Sequence, residues 1–135
     1  MIIRKFQQAD RDMLVALWRN VFPDDPPHNE PSSVIDAKCA VDDLIFVAED
    51  AGKLVGACMA GYDGHRGWLY AVAVEKEQRR NGTGGALVRY TMQALKDLGC
   101  IKVNLQVRAT NTEVVAFYEA LGFSIEERIS MGAFN

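Results

Sequence analysis

Apolar positions recur along the chain in two rhythms, and the change from one to the other marks its elements. Residues 1–6 read as a short strand. Met13, Leu14, Leu17, Trp18 and Val21 repeat every three to four positions, which predicts a helix capped by Asp10 and running to about Val21. The stretch PDDPPHNEP, residues 23–31, excludes a regular helix or a central strand through its prolines. Ser32 or Ser33 can cap a second helix over SVIDAKCAV. From residue 44 onward β-rich runs take over: LIFVAED (44–50), LVGACMAGY (54–62) and GWLYAVAV (67–74). The turns AGK and YDGHRG join them, which predicts a three-strand meander. Leu87, Val88, Thr91, Leu95 and Leu98 restore the helical rhythm over 83–98, and Gly99 stops it. KVNLQV (102–107) predicts a strand. Thr110 and Glu113 suggest a capping box, with Asn111 just inside it, for a helix that reaches Leu121 and ends at Gly122. FSIEERISMGAF supplies two short final strands. The order β-α-α-β-β-β-α-β-α-β(-β) implies a mixed α/β chain with helices on both faces of one sheet.

Composition narrows the function. A length of 135 residues fits one compact domain, here 1–135. A net charge of −3 argues against a nucleic-acid binder, which carries a basic surface, so an anionic ligand must be held by local geometry. No apolar run is long enough for a membrane span, and the start MIIRKFQQADRD turns polar too early for a signal peptide. Cys39, Cys58 and Cys100 are odd in number and lack Cys-x-x-Cys spacing, which argues against disulfides and a structural metal site. Buried, reduced thiols in a cytoplasmic protein are the expectation.

The chemistry concentrates in QRRNGTGG, residues 78–85, between the last strand of the meander and a helix. Glycines there let an anion approach backbone N–H groups, the helix start adds partial positive charge, and Arg79 and Arg80 add charged donors. The Lys-Ser/Thr pair of a P-loop is missing. A dinucleotide fingerprint would need glycine where Leu87 stands. A glycine-rich turn with no ligand is the remaining alternative.

Arg79-Arg80-Asn81-Gly82-Thr83-Gly84 resembles the [Arg/Gln]-x-x-Gly-x-[Gly/Ala] loop of the GNAT superfamily of N-acetyltransferases. The likeness continues upstream in Tyr70–Val74. Downstream it takes in Asn111 and then Phe117-Tyr118-Glu119-Ala120-Leu121-Gly122-Phe123. It is strong over 68–123, while Lys76 stands where many members have proline. GYDGHRG is similar, more weakly, to the turn of small bacterial members of the YpeA type. The resemblance implies an α/β (α+β) fold with a mixed, mostly antiparallel central sheet of six to seven strands and about four flanking helices.

It also implies a reaction: acetyl transfer from acetyl-CoA to a primary amine by direct attack, without a metal. The backbone of Arg80, Asn81, Gly82, Thr83, Gly84 and Gly85 would hold the pyrophosphate, with charged contacts added by Arg79 and Arg80. Val72, Ala73 and Val74 would pair through their backbone with the pantetheine arm, in a gap where two parallel strands splay. Strand alternation would set Tyr70, Val72 and Val74 on one face and Leu69, Ala71 and Ala73 on the other. A backbone N–H near Val72 would meet the oxyanion. Tyr118 would protonate the leaving thiolate, its alternative being a core tyrosine, and Asn111 would hold the cofactor, cap the helix, or both. The base is open, because residues 68–74 contain no acid. Asp63, His65, Glu49, Glu75 and a water chain compete for it, and His28 is expected at the surface. The acceptor, a small-molecule or peptide amine, would sit near the 23–31 loop with Asp24, Asp25 and Glu30. A homodimer in which a second copy completes the final strand is a further expectation. The rival reading is a non-catalytic CoA-binding or regulatory module. A protein acetyltransferase acting on N-termini or lysines is the alternative within the enzyme class.

Overall fold

The structure, a computed structural model, describes residues 1–135. Along the chain run β1 (Ile2–Lys5), α1 (Arg11–Val21), α2 (Pro31–Cys39), β2 (Ile45–Asp50), β3 (Lys53–Tyr62), β4 (Gly67–Val74), α3 (Thr83–Asp97), β5 (Val103–Asn104) and α4 (Thr112–Ala120). They fall into two compact units, Met1–Leu105 and Gln106–Asn135. The first holds the sheet and α1 to α3, and the second holds α4.

The sheet has the order β1-β2-β3-β4-β5, with four antiparallel strands and β5 parallel to β4. The expected class stands, but with five strands instead of six to seven. Two expectations shrink. The strand over 102–107 keeps only Val103–Asn104, and no strand forms over 123–134. Glu126, Glu127 and Arg128 set three charges in succession there, so neither face of a strand would be apolar, and Ile125, Ile129 and Met131 stay exposed.

β2 alternates Ile45 and Val47 on one face with Phe46 and Ala48 on the other, and all four are buried because both faces are covered. On the first face Leu14, Leu17 and Trp18 from α1 and Ile35 from α2 pack with Ile45, Val47, Leu54, Ala57 and Ala73. On the second, α3 brings Leu87, Val88, Thr91 and Leu95. The ring of Tyr90 meets Phe46 edge-on at 5.8 Å. Truncating one such leucine costs about 3 kcal/mol. Gly56 permits the close approach of β4, since a Cβ there would come within 3.2 Å of the Ala73 carbonyl. Leu98, expected in the α3 stripe, lies past the helix end and is exposed.

The helix starts differ from expectation. Asp10 does not cap α1 with its side chain, because its carboxylate accepts from both arms of Arg4 at 2.8 and 2.9 Å and from the Gln7 N–H at 2.8 Å. α2 begins two residues early, at Pro31, whose missing N–H is harmless in a first turn. Its cap is Glu30, not Ser32 or Ser33, and the carboxylate accepts from the Ser33 N–H at 3.1 Å. No helix is long and apolar enough to cross a membrane.

Candidate functional site

β4 consists of two halves that do not share one alternation. Leu69 pairs with Ala60 and Tyr70 with Met59, and pairing resumes with Ala73 on Ala57 and Val74 on Gly56. Ala71 and Val72 therefore stand against Cys58 alone, which is a bulge. Ala71 takes φ +50°, a left-handed conformation that costs a residue with a Cβ about 1 kcal/mol. Trp18, buried on α1, donates its indole N–H to the Ala71 carbonyl at 2.9 Å. The bulge overturns the simple alternation expected for this strand. Leu69 goes to the α3 face with Ala60, whereas Ala73 joins Trp18 and Ile45 on the opposite face. Trp68 and Tyr70, two apart on the Met59 side, stack at 6.4 Å with planes 19° apart.

The other edge of β4 diverges from β5. Their parallel ladder joins Gly67 to Val103 and Trp68 to Asn104 and goes no further. From Leu69 to Val74, which includes Val72, Ala73 and Val74, β4 has no β5 partner on that edge. This is a place where an extended ligand could add backbone hydrogen bonds.

The glycine loop follows directly. The Glu75 N–H donates to the Val55 carbonyl, Lys76–Gln78 make a 3-10 turn, and the Arg79 Nε donates to the Val74 carbonyl at 3.3 Å. Arg80 is left-handed at φ +72°, and Gly82 at φ +79° is the cap residue of α3. Gly82 brings no side-chain acceptor, and the first turn contains no acidic residue. The first N–H groups of a helix have no partner within it. Those of Thr83, Gly84 and Gly85 therefore meet neither a side-chain cap nor a carboxylate. Asn81, Arg79 and Arg80 are exposed beside them, whereas Thr83 and Gly85 are buried. A positive helix end with two arginines and no acid in its first turn fits a pyrophosphate.

The acidic candidates for the base are otherwise engaged. Glu49 pairs with Arg4 at 2.9 Å and Glu75 with Lys53 at 3.2 Å. Asp63 accepts the N–H groups of Arg66 and His65, which hold its carboxyl below the usual range. His65 is exposed at the tip of that turn. Glu30 is held by Arg19 at 2.7 Å and by the Ser33 N–H, which pull its carboxyl down to about 2. Asp24 and Asp25 are exposed, and so is His28, as expected, in a 3-10 turn, Pro27–Asn29. Burial, followed by the charge of Asp63, raises the Tyr70 phenol.

Two predicted residues belong to the second unit. Asn111 caps α4, its side chain accepting from the Val114 N–H at 3.4 Å, so the capping box of Thr110 and Glu113 gives way to Asn111 itself. Tyr118 is buried, between the edges of Phe117 at 4.9 Å and Phe123 at 5.5 Å. The three cysteines are free; Cys58 and Cys100 are buried as expected, and Cys39 is exposed. Burial pushes the Cys58 thiol up to about 12, which keeps it protonated and unreactive. Sequence reading missed Trp18 as part of the site. The available signal was an indole N–H on an apolar stripe, which needs a partner when buried.

The chain is similar to known proteins in sequence and in fold. The Acetyltransferase (GNAT) family profile matches residues 11–123. Acetyltransferase YE1169 of Yersinia enterocolitica is 38% identical over 133 residues, 98% of this chain and 94% of the relative. A putative acetyltransferase from Agrobacterium tumefaciens has a similar structure, with a TM-score of 0.80, 25% identity and full coverage of both chains. The aminoglycoside N-acetyltransferase AAC(6')-Iy in complex with CoA superposes with a TM-score of 0.84 over 98% of this chain and 93% of that one. At 20% identity, it speaks for the fold alone.

Proposed function

Because the chain belongs to the acetyltransferase (GNAT) family, we propose that it transfers the acetyl group of acetyl-CoA to a primary amine by direct attack. That the chain is a transferase enzyme follows from the family; the donor, the acceptor and the residue roles are the proposal. The observation that carries it is the start of α3, where a left-handed Gly82 leaves the first turn without side-chain cap or acid. The backbone of Arg80 to Gly85 holds the pyrophosphate, and Arg79 and Arg80 add charge. Val72, Ala73 and Val74 bind the pantetheine arm along the edge that β5 leaves. When bound, acetyl-CoA supplies an activated thioester.

An N–H of the bulge near Val72 stabilises the developing oxyanion, a contribution of about 3 kcal/mol by analogy with single oxyanion donors. Tyr118 delivers a proton to the departing sulfur. A thiol with a pKa of about 8.5 needs only such a weak acid. Asn111 caps α4 and helps hold the donor. The engagement of Glu49, Glu75 and Asp63 by other partners supports deprotonation of the amine through water. The acceptor is a small-molecule or peptide amine. Residues 1–135 form one acetyltransferase domain, supported by a family match that continues past Leu105. Its setting is the cytoplasm, and a homodimer is its assembly.

Thermal unfolding with acetyl-CoA, ATP and NAD tests the donor. At 100 times its dissociation constant a specific ligand adds about 2.7 kcal/mol, enough to raise Tm by several degrees. A rise with acetyl-CoA alone is expected, and no rise refutes the reading. Tyr118→Phe separates the enzyme from a CoA-binding module. Transfer should fall about 100-fold while acetyl-CoA binding persists. Unchanged transfer would remove Tyr118 from its role.

A further inference from the structure

The bulge in β4 is held from outside the sheet. Ala71 keeps a left-handed φ of +50° although alanine gains nothing from that conformation. Across β3, Cys58 faces two residues where a regular ladder offers one. Leu69 and Ala73, four apart in β4 and so on one face in a regular strand, turn to opposite faces as a result. Something must favour this geometry over the regular strand, and one directed contact does. The Trp18 indole N–H reaches the Ala71 carbonyl at 2.9 Å from a side chain only 3% exposed. If the strand relaxed to a regular ladder, the buried indole donor would lose that acceptor, which is costly.

We infer that Trp18 is a positioning residue of the acyl site: its indole N–H pins the Ala71 carbonyl, and so aims the backbone of Ala71 and Val72 away from β3. The inference rests on the proposed use of β4 by the acetyl donor. Trp18 touches no reacting atom and acts only through the bulge. Its effect therefore falls on turnover and on recognition of the acetyl carbonyl, whereas the loop at Arg79–Gly85 continues to hold the pyrophosphate. A misplacement of about 1 Å in such a donor lowers rate by about 100-fold.

The test uses the full chain with Trp18→Phe. A second variant carries benzothienylalanine at position 18, which keeps the two-ring volume and replaces the N–H by sulfur. Without ligand, amide exchange is followed by NMR. Amides of residues 70–73 should exchange at least ~10-fold faster in both variants, with those of β2 unchanged. Acetyl-CoA and CoA are then titrated separately. In the wild type the Val72 amide shift should depend on the acetyl group. In the variants that dependence should vanish while affinity for CoA stays within about twofold. Acetylation of a mixed amine panel should show kcat falling with the acetyl-CoA KM nearly constant. Unchanged exchange at residues 70–73, or an acetyl-dependent Val72 shift that survives in the sulfur variant, overturns the inference. If the wild type binds no acetyl-CoA, the functional reading fails and the acyl role of Trp18 with it, a result distinct from a variant that binds normally and turns over normally.

Discussion

α2 and α3 begin in opposite ways. α2 opens on Pro31, and the Glu30 carboxylate takes the Ser33 N–H and pairs with Arg19. α3 opens on a left-handed glycine, with no side-chain acceptor and no acid in its first turn. A helix start satisfied by its own chain is finished as a structural part. A start left with donors and two neighbouring arginines can offer them to an anion from outside. α1 stands between the two: Asp10 spends its carboxylate on Arg4 and on the Gln7 N–H and caps no N–H of the helix, but Asp12 places an acid in its first turn. The difference between these helices marks the site better than glycine content does.

Four substitutions break or sharpen this contrast. The largest effect is expected from Gly82→Asp, which gives α3 the kind of acid that α2 has. Acetyl-CoA affinity by calorimetric titration should fall about 100-fold, roughly 2.7 kcal/mol, and retained affinity would mean that the first turn of α3 is not the cradle. Asp10→Asn should cost about 2 kcal/mol of stability by denaturant unfolding, with acetyl-CoA affinity unchanged. Arg4 holds the Asp10 carboxyl below its ordinary 3.8, so its contribution is full above that pH and is lost as pH falls below it. The stability difference between Asp10→Asn and wild type should shrink accordingly below about pH 4. Gly82→Ala adds a Cβ at φ +79° without adding charge. It should cost about 1 kcal/mol of stability and leave affinity far closer to wild type than Gly82→Asp does. Glu30→Gln should lower Tm slightly. Because the carboxyl falls from 4.5 to about 2 on folding, the loss should be present above pH 4.5 and absent below about 2.

The order of elements was legible because it rests on local rhythm. The meander, the long helix after the glycine loop and the stop at Gly99 all stand in the structure as the pattern implies. The loop itself was legible too, because its backbone conformations need glycine or a tolerant neighbour within a few residues. The bulge was not. Tyr70-Ala71-Val72-Ala73-Val74 reads as even alternation, and nothing in Ala71 announces a positive φ. Its cause is Trp18, which lies 53 residues away in sequence. The start of α2 misled for a related reason. Ser32 and Ser33 look like caps, but Pro31 in the first turn and Glu30 before it settle the matter. Apolar residues alone over-called the end of the chain, where the charges at 126–128 remove the apolar face a strand would need.

The meander also bears on how the chain finds its fold. β2 and β3 are joined through Ala51 and Gly52, and β3 and β4 through residues 63–66, so each ladder closes a short loop. β1 must instead pair Ile2 with Glu49, across nearly half of the first unit's length. Closing short loops loses less chain entropy, so the meander is the expected nucleus and β1 a late arrival. Trp18 sits on the late side of that divide. Transient folding kinetics should therefore find β4 paired with β3 before its bulge is pinned, with the kink in the strand set only when α1 docks.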